Sequence, residues 1–129
     1  MRLWPLSILP QLPRQQLLGQ HRECCALRGK GWGRKHATVD YVFKYGLDRL
    51  YCYHLRVMQE MAKRGYVPDG HWYMRTYRGE NLPCSTLTEV GTFVDKGGSI
   101  YPEHDQRYLK ECIENLARKG IVIKQRQVA

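Results

Sequence analysis

The chain has 129 residues, 43% of them hydrophobic and 26% charged, a length and composition that suit one globular domain over residues 1–129 and exclude a disordered chain. Its 21 Lys and Arg against 12 Asp and Glu leave a net charge of +9, which points to an acidic partner, nucleic acid before an anionic membrane surface. No apolar run approaches the roughly 18 residues needed to span a bilayer.

The charge is unevenly spread. Residues 1–36 hold seven basic side chains (Arg2, Arg14, Arg22, Arg28, Lys30, Arg34, Lys35) and a single acid, Glu23, a balance of +6; the other 93 residues hold 14 and 11, only +3. A lone carboxylate in such a field weakens attraction to a polyanion, so Glu23 reads as a group with a specific task.

Met1 to Pro10 carries one basic residue followed by apolar ones, but Pro5, Pro10 and Pro13 break the run and no small-x-small cleavage site follows. It reads as an extended arm rather than an export signal. The first helix is expected over residues 13–28, with Pro13 at its first position and Gly29 as its stop. Leu17, Leu18, His21, Cys25 and Arg28 share one face; Gln15, Gly19, Arg22, Glu23 and Ala26 share the other, where Gly19 and Ala26 leave room for a large ligand.

Residues 29–35 form a glycine-punctuated basic loop whose Lys30, Arg34 and Lys35 suit phosphate contacts, without the spacing of a P-loop. A second helical stretch covers residues 39–44, breaks near Gly46 and resumes over 47–64, with Leu47, Leu50, His54, Val57, Met58 and Met61 as a buried stripe. His54 on that stripe reads as a core histidine. A third helix follows Pro102 and ends before Gly120, with Leu109, Cys112, Ile113 and Leu116 inward. Between the second and third helices lies a long loop in which Trp72, Tyr73, Arg75 and Arg78 interleave aromatics with arginines. That pattern suits either base stacking beside phosphate contacts or a cap on the core.

The expected fold is therefore all-α, a compact bundle of about three main helices with a long aromatic and basic loop. The five cysteines (Cys24, Cys25, Cys52, Cys84, Cys112) are odd in number, and none forms a Cys-x-x-Cys pair. No disulfide framework, zinc site or other metal ligand set is expected, and a reducing cytoplasm is the natural compartment.

On Leu6, Leu12, Gln15, Leu17, Arg22 and Glu23, at matching distances from the start, the chain resembles the pyrimidine-dimer DNA glycosylase family. Arg34-Lys35-His36, Lys63-Arg64-Gly65-Tyr66 and Tyr101-Pro102-Glu103-His104 resemble further family segments. The resemblance implies a cofactor-free, monomeric DNA-repair enzyme, a glycosylase coupled to an abasic-site lyase on damaged double-stranded DNA, working in the cytoplasm at the nucleoid. It implies that the chain's α-amine attacks C1′ of the damaged nucleotide, forms a Schiff base and permits β-elimination of the 3′ phosphate. It also makes Glu23 the catalytic carboxylate, with Arg22 and Arg28 holding phosphates.

The amine chemistry has an independent rationale. A terminal amine of pKa near 7.7–8.0 is about 10–15% neutral at pH 7, whereas an ordinary lysine is neutral only at about 0.04%. The chain departs from the family where it has Arg2 in place of a small residue, Leu3 in place of an arginine and Gln16 in place of a histidine. Three readings stay open: Met1 supplies the amine, processing exposes Arg2, or this branch has lost or changed its activity. The competing classes are a non-catalytic DNA-binding module, in which Glu23 forms only an intrahelical ion pair, and an RNA-directed or protein-docking domain.

Overall fold

The computed structural model describes residues 2–125, which form four α-helices and three short 3-10 helices with no strand among them. The all-α expectation is met. α1 spans Arg14–Arg28, α2 Leu47–Lys63, α3 Leu87–Val90 and α4 Gln106–Arg118; the 3-10 helices are Leu6–Gln11, Asp40–Lys44 and Gly70–Tyr73. α1 packs along α2, and α2 also meets the first 3-10 helix and α3.

Local chemistry places most of the boundaries. Pro13 stands immediately before α1, and the Gly29 N–H closes its last turn on Cys25 O and Ala26 O. The break before α2 falls at Gly46, and the expected stripe of Leu47, Leu50, His54, Val57, Met58 and Met61 is buried throughout. α4 starts later than the position of Pro102 suggests. Asp105 is its cap, with Oδ1 accepting from the Tyr108 N–H at 2.9 Å, which satisfies one of the first-turn donors.

Two expectations need correction. The N-terminal arm is only partly irregular: residues 2–5 lack regular structure, but Leu6–Gln11 winds into a 3-10 helix closed by Ile8 N–H on Pro5 O. Leu3 and Trp4 enter the core at 0% and 5% exposure, each stabilising the fold by roughly 1.5–3 kcal/mol. The buried side of α1 is also turned relative to the apolar pattern. It comprises Leu17, Gln20, Glu23, Cys24, Leu27 and Arg28, whereas Leu18 and Cys25 are half-buried. The apolar pattern misses this because Gln20 and Glu23 are polar types that the arm covers.

The long loop is tied down rather than idle. The Asp48 carboxylate accepts from Arg49 N–H and Phe93 N–H at 2.8 and 2.7 Å. Gly91 lies so close to it, at φ +98°, that a Cβ there would fall 2.5 Å from Asp48 Oδ2. Arg49 is sandwiched between Tyr45 and Phe93, and Arg56 pairs bidentately with Asp95. At the far end, Gln11 and Lys124 exchange two hydrogen bonds that fasten the C-terminal segment to the first 3-10 helix.

Candidate active site

Glu23 lies on α1 at the wall of a cleft of about 250 Å³ lined by Arg2, Trp4, Gln16, Gly19, Gln20, Glu23, Asn115 and Lys119. Its side is set by the one-turn spacing from Gln20, which stacks both residues along α1 beside the arm. Glu23 is 8% exposed, and burial raises its pKa above the ordinary carboxylate value, with the nearby His36 charge pulling the other way. Among the described residues no ion pair engages it. A desolvated carboxylate in a basic protein costs stability, and perturbed carboxylates of this kind cluster at reactive sites.

The arm is held against α1 by the buried side chain of Gln20, which the sequence pattern does not single out. Gln20 Nε2 donates to Arg2 O at 3.1 Å, while its Oε1 accepts from the Trp4 N–H at 2.7 Å. Tyr53 Oη lies within hydrogen-bond distance of both that oxygen and Trp4 O, and Tyr108 Oη donates to Leu3 O. Every residue from 2 to 4 thus has its backbone fixed by α1, α2 or α4. Arg2 is thereby placed in the cleft with Glu23, its guanidinium 3.7 Å from Cys112 Sγ. Met1, the other expected source of the amine, lies outside the described residues. One departure gains a physical reason here: Leu3 is wholly buried, where an arginine would be unsolvated. Gln16 lines the cleft.

The expected DNA contacts divide into two groups. Arg22, Lys30, Arg34 and Lys35 are exposed, and Arg22 extends over Gly19, with Nη2 3.7 Å from where a Cβ would stand. Arg28 is a correction. At 2% exposure it donates to Trp72 O, Met74 O and Tyr77 O at 2.8–3.2 Å and to His54 Nδ1 at 2.9 Å. Its guanidinium is spent on the fold and does not face a phosphate. Arg78 likewise caps the end of α1 through Arg28 O and Gly29 O, and Arg75 lies over Tyr51 and donates to Phe93 O. Trp72 packs on Arg28, His54 and Tyr77, which favours the core-capping alternative for it, whereas Tyr73 is 41% exposed.

No metal ligand set is expected from the sequence, yet the fold brings ring nitrogens of His21 and His54 and the Cys25 thiol within 4.8 Å. The hydrogen bonds there assign the tautomers. Arg28 can only donate, so His54 Nδ1 accepts, leaving Nε2–H to donate to His21 Nδ1 at 2.8 Å. A cation on His54 Nε2 would need that proton removed and would stand beside the Arg28 charge. Burial also pushes the Cys25 thiol up to about 11. The residues fit a hydrogen-bond relay better than a metal ion.

Gln20 was legible in part, being one turn from Glu23, but Asn115 and Lys119 reach the cleft only through the packing of α4. No curated protein and no solved structure matches the chain. The family model described as pyrimidine dimer DNA glycosylase matches residues 1–74, more than half of the 129 and the part that contains the arm, α1 and α2. With its buried carboxylate, clamped arm and exposed basic side chains inside that match, the chain belongs to the pyrimidine dimer DNA glycosylase family.

Proposed function

We propose that the chain is a DNA glycosylase with abasic-site lyase activity on damaged pyrimidines in duplex DNA, using a terminal α-amine and Glu23. The observation that carries this reading is the Gln20 clamp, which holds Arg2 in one cleft with a buried carboxylate that has no ion pair among the described residues. The amine belongs to Met1 in the unprocessed chain and to Arg2 after processing.

In the reaction the amine lone pair attacks C1′, the C1′–base bond breaks, and its electron pair leaves with the base, which is protonated. The attached nitrogen, now an ammonium, gives up one proton; its recovered lone pair then forms C1′=N⁺ as the sugar ring opens and O4′ departs as a hydroxyl carrying that proton. Loss of a C2′ proton and cleavage of C3′–O, with the electron pair going to the 3′ phosphate, completes the strand break. A carboxylate beside C1′ stabilises the positive charge that develops there and can carry the protons between steps. Raising its pKa by burial brings it closer to the working pH, which suits both roles.

The exposed Arg22, Lys30, Arg34 and Lys35 supply phosphate contacts, and Tyr73 supplies an aromatic face. The enzyme works as a monomer at the nucleoid in the cytoplasm, without a cofactor. Among the described residues no helix is long and apolar enough to cross a membrane.

Borohydride trapping on a duplex with one abasic site, with mass analysis of the N-terminal peptide, tests the reading. A covalent adduct on the α-amine, lost when that amine is blocked, is the expected result. Protein that binds the duplex but forms no adduct overturns it in favour of a non-catalytic DNA-binding module. The lack of an ion partner for Glu23 among the described residues speaks against that second reading, which needs the carboxylate in an intrahelical pair.

A further inference from the structure

Asn115 sits on α4, far in sequence from the arm and outside residues 1–74 that the family model matches. Its side chain lines the cleft with Arg2, Gln20 and Glu23. Its Oδ1 is shielded from solvent and has no hydrogen-bond partner among the described residues. An amide oxygen left in that state destabilises the fold, and an apolar side chain of the same shape would fill the space without that cost. Retaining it makes sense if an N–H is delivered there during function.

We propose that Asn115 Oδ1 accepts an N–H of the reacting α-amine and of the iminium it becomes, which makes α4 the third wall of the amine site. This rests on the terminal-amine reading above. A neutral primary amine has two N–H groups and one lone pair. With one N–H on Asn115 and the other directed at Glu23, the lone pair is left pointing away from both, toward C1′. After attack and ring opening, the nitrogen is an iminium with a single, strongly polarised N–H. Its bond to Asn115 is then stronger than that of the starting amine, so the contact favours the charged intermediate over the ground state. An amide also cannot be protonated at working pH, so it orients the nitrogen without competing for its proton.

The test uses the full chain carrying Asn115→Leu or Asn115→Asp, trapped with borohydride on the abasic duplex from pH 5 to 9. Duplex affinity and thermal melting are measured alongside. Asn115→Leu is expected to melt no lower than the parent, to bind the duplex equally and to trap about tenfold more slowly. Asn115→Asp is expected to stay folded and trap, with the acid limb of its rate profile moved to higher pH, because a second carboxylate raises the pKa of Glu23. Trapping by Asn115→Leu at the parent's rate overturns the proposal, as does a loss that merely follows weaker binding or a lower melting temperature. An unshifted acid limb in Asn115→Asp overturns it too. Failure of the parent to trap while binding the duplex defeats the terminal-amine reading itself, and so is distinguishable from failure of Asn115 alone.

Discussion

Replacing Gln20 with methionine keeps the side-chain volume but removes both hydrogen bonds that Gln20 makes to the arm. The Trp4 N–H, buried and bonded to Gln20 Oε1 at 2.7 Å, is left without an acceptor, at about 1–3 kcal/mol. Arg2 O loses its donor in a partly solvated position, at about 0.5–1.5 kcal/mol. Tyr53 Oη retains Trp4 O at 2.6 Å and adds little to the loss. The total is about 2–4 kcal/mol, which for a domain of this size lowers Tm by roughly 6–16 °C. Gln20→Glu keeps the acceptor for Trp4 and removes the donor for Arg2. Its carboxylate still accepts from the Trp4 N–H but faces Arg2 O with no proton to give, so the end of the arm is released while Leu3 and Trp4 stay in the core. We expect Gln20→Glu, whose new carboxylate is buried one turn from Glu23, to lose at least as much stability at neutral pH as Gln20→Met and to slow trapping by more than about tenfold. Calorimetric melts and single-turnover trapping at 20 °C, where both variants are folded, measure the two effects. A Gln20→Met variant that melts within 2 °C of the parent, as judged against the same relation, would refute the clamp. A Gln20→Glu variant with parental trapping would refute its link to the reaction.

Arg22 and Arg28 are expected to behave in opposite ways. Arg22→Gln should leave Tm unchanged within the scatter of surface substitutions and reduce the salt slope of duplex binding by about one. Arg28→Gln should destabilise by about 3–5 kcal/mol, because His54 and three carbonyls lose a buried donor, while the salt slope of the folded fraction stays parental. A reduced slope in Arg28→Gln would contradict its assignment to the fold. Glu23→Gln should abolish trapping, keep duplex affinity and stabilise the protein at neutral pH. Its folded-state pKa is raised, so the parent is favoured at low pH and loses that advantage as pH rises through the folded value. Urea midpoints of the two proteins should therefore converge toward acid; a constant gap would show that the carboxylate is not desolvated. Three histidines have the opposite sign. His54 and His21 are lowered by burial and then by neighbouring cations, and His104 is lowered by burial to about 4. Their contribution is full above about pH 6.5 and is lost as pH falls toward the folded values, at up to about 1.4 kcal/mol per pH unit for each. His54→Gln, which can still accept from Arg28 and donate to His21, should show a shallower loss between pH 6.5 and 5 in the same denaturation series.

Much of the backbone is legible in the chain itself. Pro13 and Gly29 bracket α1, Gly46 separates the second helical stretch, and the stripe from Leu47 to Met61 is buried as its spacing requires. These features are local: a missing N–H, a flexible residue or a 3.6-residue period acts within a few positions. The Arg22 and Glu23 pair was conspicuous for the same reason, as a charge pattern within one segment.

The fate of individual polar side chains was not legible, because it depends on which acceptors another element brings within about 3 Å. Arg22 and Arg28 are the same residue type six positions apart on one helix, yet one is exposed and the other is buried on the carbonyls of the 72–77 segment. Gln20 looks like a surface residue until the arm folds over it, and Asn115 belongs to the cleft only because α4 packs beside residues more than a hundred positions earlier. Sequence by itself determined the helices, the basic field and the lone carboxylate within it. Tertiary structure decided which cations remain free to meet a phosphate and which groups close around Glu23, since a buried donor or acceptor must find its partner wherever packing places one.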